Sequence, residues 1–299
     1  MANYLMECYL CSLALACRTL LLNRSTYYQK SVKDDSEVEA KLLAFSKAYP
    51  TRGFDWYYLK IRNEGLKWNR KRVLRIYRNM GLKLRRKAKK RINRPYQYAL
   101  AQPLLPNHTW SMDFMSDTLE DGRRVRVLLI MDDYNREILA IEVALSITST
   151  HVKGVLERLI FERGKPQHIR TDNGPEFIAH ELKDYCVEEK IEQWFIQPGK
   201  PNQNGLIERL NRTFREDVLD AYIFENLEDL RYQSQRWMEQ YNQGHPHQSL
   251  GGKSPLAFKY ARKQVIAAYE KVKAEMNDAS KASALTFSPP AMIGSLRDI

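Results

Sequence analysis

Three carboxylates in this 299-residue chain stand in settings that suit phosphodiester chemistry. Asp113 lies inside an alternating run, 109–116, with Trp110, Met112 and Phe114 on one side and Ser111, Asp113 and Met115 on the other. Asp172 closes a short run, Ile169-Arg170-Thr171-Asp172-Asn173-Gly174, and Glu208 falls in the first turns of a helical pattern that starts near Gln203. Thirty-five residues separate Asp172 from Glu208. A carboxylate inside an alternating strand is uncommon, and one at a strand's C-terminal end lies where α/β sheets place ligands. Clustered carboxylates cannot all stay ionised without a cation, and an all-oxygen donor set selects Mg²⁺ or Mn²⁺. Two such ions roughly 4 Å apart activate a water or a 3′-hydroxyl and stabilise the leaving oxygen of a phosphodiester.

The elements that must position these acids are legible around them. Asp121-Gly122 is a hairpin turn signal between the first run and a strand at 125–131, and Asp133-Tyr134-Asn135-Arg136 is a second turn before a strand at 138–145. A helix follows at 150–161 with Val152, Val155, Leu156 and Leu159 as its apolar face. Then come a strand at 168–171, a helix at 177–190, and a strand at 191–197 in which Trp194 and Phe195 read as core. The order βββαβαβα implies an α/β fold, a mixed sheet covered by helices. Asp113 and Asp172 face each other if the first and fourth strands are neighbours. On the long helix Ile207, Leu210, Phe214 and Val218 form an apolar stripe, and Asn204, Glu208, Arg212 and Arg215 fall opposite, where the two arginines could hold phosphate. The same spacing also suits a solvated charge pattern.

Charge is divided unevenly along the chain. Residues 1–100 hold 23 Lys+Arg against 7 Asp+Glu, whereas 101–299 hold 25 against 29. From Lys67 to Arg94 there are 14 basic residues and no acid, beyond what solubility needs. Asn69 reads as the N-cap of a helix ending at Gly81, with Val73, Ile76, Tyr77 and Met80 on one face. Two helical patterns precede it, so 37–81 reads as a helix-turn-helix whose contacts to double-stranded DNA come from Arg70, Lys71, Arg72, Arg75 and Arg78, continued by Lys83, Arg85 and Arg86. Lys200 and Asn204, near Glu208, are further candidates. Such contacts go mainly to phosphate and supply affinity more than sequence choice.

Other classes are excluded or unremarkable. No apolar run approaches the roughly 18 residues of a membrane span. The apolar stretch 8–17 lacks the upstream positive charge of a signal peptide, so the expected location is cytoplasmic and, with DNA as partner, nucleoid-associated. Cys8 and Cys11 have no second pair at metal-site spacing. His151, His168 and His180 lack metal spacing as well, and no Gly-rich nucleotide loop is present. Glu176 reads equally as an auxiliary acid or as support for the loop beside Asp172.

Trp110-Ser-Met-Asp113, Thr171-Asp172-Asn-Gly-Pro-Glu176-Phe177 and Gln197-Pro-Gly-Lys-Pro-Asn-Gln-Asn-Gly205 through Glu208-Arg-Leu-Asn211 resemble the transposase/integrase catalytic core. With Tyr241-Asn242 and Pro246-His247-Gln-Ser-Leu250, they resemble the OrfB integrase-core transposases of the IS-three family of bacterial insertion sequences, within the wider superfamily of DDE transposases and retroviral integrases, over about residues 35–260. The resemblance implies an RNase H-like core and a DDE triad at Asp113, Asp172 and Glu208 that binds two Mg²⁺ ions, for which Mn²⁺ can substitute. It further implies cleavage at insertion-sequence ends, strand transfer into target DNA, and a basic contact to the transposon end at Arg215. Two DNA ends brought together imply a homo-oligomer on DNA. The family's usual Arg-Pro-His is here His245-Pro246-His247, which exchanges a guanidinium for an imidazole. The family also implies an upstream partner reading frame, fused by frameshift, that carries the principal end-recognition module. The organisation expected is an N-terminal helical segment and linker at 1–36, the helix-turn-helix at 37–81, a basic linker at 82–107, the RNase H-like core at 108–222, a C-terminal helical extension at 223–276 and a disordered tail at 277–299. Two other readings stay open: an RNase H-type nuclease, and a DNA-binding regulator or decayed copy without catalysis.

Overall fold

The computed structural model describes residues 1–28, 34–84, 103–197 and 204–264. Most of the basic linker, with Arg85 and Arg86, lies outside them, as do Lys200 and the 277–299 tail. Contacts divide the chain into two units, one of residues 1–50 and 69–83, the other of 51–68 and 84 onward.

The first unit is helical: α1 (Ala2–Tyr9), α2 (Leu13–Thr19), α3 (Arg24–Tyr28), α4 (Ser36–Ala48) and, after α5 of the other unit, α6 (Arg70–Asn79). Asn69 caps α6 as expected, its side chain accepting from the Lys71 amide at 2.8 Å. Val38, Leu42 and Phe45 of α4 and Val73, Ile76 and Tyr77 of α6 are buried. Asp35 grips two of the candidate DNA ligands, Arg72 at 2.8 Å and Arg75 at 2.6 Å. These hydrogen bonds, Arg72's first, hold the Asp35 carboxyl below the usual range. Arg72 and Arg75 are therefore already engaged, whereas Lys71, Arg78 and Lys83 are exposed.

The middle helix of the expected helix-turn-helix, α5 (Phe54–Asn63), forms where the sequence places it but belongs to the second unit. Lys60 Nζ donates to the Gly244 carbonyl at 3.0 Å, and Asn63 Nδ2 to that of Gly252 at 2.8 Å. Of the three helices in 37–81, α4 and α6 contact each other within the first unit, and α5 is part of the second. Local pattern fixes the helices, but the partners of α5 lie about two hundred residues away in sequence.

The second unit is built on a five-stranded sheet: β1 (Thr109–Thr118), β2 (Arg124–Asp132), β3 (Glu137–Ala144), β4 (His168–Thr171) and β5 (Glu192–Phe195), in the order β3-β2-β1-β4-β5. The first three strands form an antiparallel meander, and β1–β4 and β4–β5 are parallel. The helices are α7 (Ser149–Arg163), α8 (Pro175–Ile178), α9 (His180–Glu188), α10 (Gly205–Phe214) and α11 (Leu227–Gly244). The helix expected at 177–190 is two, because Ala179 between them is extended (φ −59°, ψ 139°). Phe195, expected in the core, is 39% exposed on the sheet's edge strand.

Period-two alternation along β1 feeds two cores. Trp110 and Met112 pack with Val152, Val155, Leu156, Leu159, Phe177 and Leu182 on the α7–α9 face. Met115 packs on the other face with Ile207, Leu210, Phe214, Val218, Leu230 and Tyr241. The C-terminal extension is therefore part of the second core. Asn242 completes its attachment: its side-chain amide accepts from the Ile138 amide at 2.8 Å and donates to the Ile138 carbonyl at 2.9 Å. It pairs with edge strand β3 as a neighbouring backbone would.

Two buried polar groups lock this frame. Ser111 Oγ donates to Asp133 at 2.7 Å, and Arg170 Nη1 donates to the same carboxylate at 2.6 Å, all three side chains being buried. Near the end of α11, His245 stacks on Tyr241 (ring centroids 4.6 Å apart, 22° between planes) and contacts His247 (4.9 Å). The imidazole in place of the family's arginine thus serves packing. Burial pushes His247 down to about 3, with the positive Arg136, Arg209 and Arg52 adding to it. The folded chain therefore holds His247 neutral where the unfolded chain protonates it, below about pH 6.5. Its contribution is complete above that pH and is lost progressively as pH falls from 6.5 toward 3. Buried Asp132, pushed up to about 6, acts with the opposite sign between about pH 6 and 4. We therefore expect His247→Gln to remove part of the acid sensitivity, so that the stability difference between wild type and variant shrinks by about 1 kcal/mol from pH 7.5 to pH 5.5 in urea unfolding. Arg170→Ala, which leaves Asp133 buried and unpaired, is expected to cost about 3–5 kcal/mol in the same assay.

Candidate active site

The β1–β4 ladder is short: Thr109, Trp110 and Ser111 pair with His168, Ile169 and Arg170. Continuing that parallel register by two residues sets Asp113 level with Asp172, on the face that carries Ser111 and Arg170. The ladder stops before either acid is reached. The first and fourth strands are the neighbours that the chemistry required. Helix α10 lies over this face, its stripe Ile207, Leu210 and Phe214 buried in the second core. It carries Glu208 and, one turn later, Asn211.

Each acid has its own support. Asp113 is half-buried; its Oδ1 accepts from the Phe114 amide at 2.8 Å and its Oδ2 from Asn211 Nδ2 at 2.7 Å. Burial pushes Asp113 up to about 6, opposed by the Phe114 amide and Asn211 and reinforced by the negative charges of Asp172 and Glu208. The charges of Asp172 and Glu208 thus both bear on Asp113. Asp172 Oδ1 accepts from the Gly174 amide at 3.0 Å, which closes the turn after β4. A Cβ on Gly174 would stand 3.0 Å from the same oxygen, so a side chain there would press on the Asp172 carboxylate. Glu208 is exposed.

Asn211 is a site residue that the apolar periodicity of α10 did not mark. Its signal was its place three residues after Glu208, on the same side of the helix. Its Oδ1 is buried without a hydrogen-bond partner, so the amide is held for its donor, aimed at Asp113. Glu176, which the sequence left between two roles, is ion-paired with Arg126 of β2.

The candidate DNA ligands on α10 separate. Arg212 is exposed, 4.0 Å from Glu216. Arg215 is drawn back to β1, donating to the Ser116 carbonyl at 2.9 Å with Asp117 at 3.7 Å. It opens a π-helical turn, Arg215–Leu219, that continues α10. Asn204 is 3% exposed and offers no surface to a nucleic acid. Arg70 is exposed on α6 of the other unit.

The donor set suits a hard divalent cation. It is carboxylate oxygen throughout, and Asp113, raised first by burial and then by the charges of Asp172 and Glu208, is an acid whose ionised form a cation would favour. Among the described residues no three His, Cys, Asp or Glu side chains converge on a single ligating point. Mg²⁺ does not need such a cage: it keeps several waters and takes one or two carboxylates plus substrate phosphate. The residues present fit that pattern.

The meander, the parallel strands added beside β1 and the helices on both faces make this an RNase H-like core. Models of the integrase core domain match residues 103–201 and 189–255. A 31.7 kDa protein of insertion element IS407 from Burkholderia multivorans is 35% identical over 245 residues, covering 81% of this chain and 88% of the relative. The transposase InsD of insertion element IS2 from Escherichia coli is 26% identical over 237 residues, 75% and 79% of the two chains. The HTLV-2 integrase catalytic core domain, solved in complex with magnesium, superposes with a TM-score of 0.42 at 24% identity, over 52% of this chain and 97% of that one. The chain belongs to the integrase-core transposases of the IS-three family of insertion elements. Among the described residues no helix is long and apolar enough to cross a membrane.

If Asn211 stabilises the charged form of Asp113, Asn211→Leu raises the Asp113 pKa above its present value of about 6. A ¹³C-carboxyl NMR titration of the metal-free protein, with Asp113→Asn to assign the resonance, measures this; an unchanged midpoint refutes it.

Proposed function

We propose that this protein cleaves DNA at the ends of its insertion element and transfers the strands into target DNA, with Asp113, Asp172 and Glu208 as its catalytic triad. The observation that supports this reading is the register of β1 and β4, which, continued two residues past the end of their ladder, sets Asp113 level with Asp172, while the charge of Glu208 on α10 bears on Asp113. Asp113 and Asp172 would hold both cations, and Glu208 would complete the second site. Two Mg²⁺ ions, or Mn²⁺ in their place, would supply charge neutralisation and activation of the attacking oxygen, a water in cleavage and a 3′-hydroxyl in joining.

The chain's own contribution is placement. The Phe114 amide and Asn211 orient the two oxygens of Asp113, and the Gly174 amide orients Asp172. Glu208 is exposed on the helix that crosses above them and can move its carboxylate by rotamer change without disturbing the buried stripe. The exposed Arg212 and the basic residues Arg70, Lys71, Arg78 and Lys83 would bind DNA phosphates, with Arg85, Arg86 and Lys200 extending the set. Joining paired ends requires at least two protomers on double-stranded DNA, in the bacterial cytoplasm at the nucleoid. Fusion to an upstream partner reading frame would add end recognition.

The test is strand cleavage and joining on a labelled transposon-end duplex, for the chain alone and fused to its upstream partner, with Mg²⁺ or EDTA. Asp172→Asn and Glu208→Gln are each expected to lower joining by at least about a hundred-fold, on the order of 3 kcal/mol in the barrier, while DNA binding and the melting temperature change little. Near-wild-type joining by Asp172→Asn would refute the triad. Metal-dependent cleavage confined to RNA–DNA hybrids would point to a nuclease, and DNA binding without chemistry in either form to a regulator.

A further inference from the structure

Arg126 lies on β2 and pairs across the ladder with Ser116. Its side chain falls on the face of the sheet opposite Asp113, where it makes two contacts. The guanidinium lies over the Phe114 ring, 4.2 Å from the centroid, and it donates to Glu176 Oε1. Phe114 is the residue whose amide orients Asp113. Glu176 sits in α8, four residues after Asp172 and just beyond the turn that Gly174 closes. Phe114 is also stacked on Phe177, with ring centroids 4.9 Å apart and 25° between planes, and Phe177 is fully buried. One cation therefore touches both the strand that carries Asp113 and the segment that follows Asp172.

We propose that Arg126 and Glu176 are positioning residues, a clamp that fixes the separation of Asp113 and Asp172 where β-sheet hydrogen bonding no longer does. The need follows from the register. The last paired residues of the β1–β4 ladder are Ser111 and Arg170, so both acids lie on backbone that the ladder does not hold together. The contact between Phe114 and Phe177 closes part of that gap, but ring stacking tolerates sliding. A guanidinium fixed at once on a ring face and on a carboxylate has far less freedom. The pair is also partly sheltered, with side-chain exposures of 31% for Arg126 and 16% for Glu176. The clamp assigns Glu176 a task distinct from the triad: the fourth acid near the cluster is committed to Arg126.

This inference rests on the metal-binding reading of Asp113 and Asp172, so its test separates the two. Mn²⁺ binding to the full chain is followed by electron paramagnetic resonance, without DNA and without turnover, for Arg126→Glu, Glu176→Arg and the double exchange. If the clamp positions the two acids, both single variants weaken Mn²⁺ binding, by about ten-fold or more, as losing an outer-shell support does. The double exchange, which keeps the net charge and restores an ion pair, recovers most of the loss. If the two residues act only through the field they create, the single variants move in opposite directions: Arg126→Glu adds negative charge and tightens Mn²⁺, and Glu176→Arg weakens it. That pattern overturns the proposal, as does a double exchange no better than the weaker single variant. Arg126→Met keeps an apolar stem against Phe114 and guards against misfolding of the charge-reversed variant; it too is expected to bind Mn²⁺ more weakly at an unchanged melting temperature, and wild-type affinity overturns the clamp. Asp172→Asn serves as the control. If it retains Mn²⁺, the metal-binding reading itself fails; if it loses Mn²⁺ while the Arg126 variants do not, only the clamp fails.

Discussion

The ion pair of Arg170 with Asp133 is the interaction on which the rest of the second unit depends. It ties β4 to the turn between β2 and β3 across the strand that separates them, and Ser111 of that strand is its third member. Burying both charges is costly, and the geometry offsets the cost by giving Asp133 two short hydrogen bonds. Apolar side chains could fill the same space, but they would not specify which level of β4 meets which level of β1. The pairing of Ser111 with Arg170 is that specification. Continued two residues on, the same register sets Asp113 level with Asp172. A slip of one residue would turn every side chain of β4 over and send Asp172 to the far face.

The site that results combines rigid and adjustable parts. Asp113 is held by a backbone amide, by Asn211 and by the packed strand beneath it. Asp172 stands on a turn secured by its own glycine. Glu208 stands on a helix whose inner stripe is packed and whose outer face is free. The catalysis we propose, by positioning and charge neutralisation, would be served by such a division, with two acids held at the sheet and the third on a helix beside it.

Much of this was legible in the sequence because it is written in local periodicity. Alternation in 109–116 gave β1 its two faces, and the stripe Ile207, Leu210, Phe214 and Val218 gave α10 its orientation. The Asp-Gly turn gave the first hairpin. The facts that periodicity does not encode were pairings between charged or polar groups far apart in the chain. Arg72 and Arg75 looked free for DNA, yet Asp35 holds both. Arg215 looked like a phosphate ligand, and β1 takes part of its donor capacity. Glu176 and Asn211 were visible as residues but not as partners of Arg126 and Asp113. Helix α5 was legible as a helix, but the donation by its Lys60 and Asn63 to the carbonyls of Gly244 and Gly252, far along the chain, was not. The break at Ala179 was missed for the opposite reason: a single extended residue leaves almost no trace in a helical average.

The early end of the β1–β4 ladder has a consequence beyond the site's composition. Adjacent strands are rotated by roughly 20° relative to one another, so two that stop pairing diverge as they continue. The acids sit on the tines of a fork that opens beyond Ser111 and Arg170. Trp110 and Ile169, paired and fully buried, form the root of that fork, so a change of volume there would be felt at its tips.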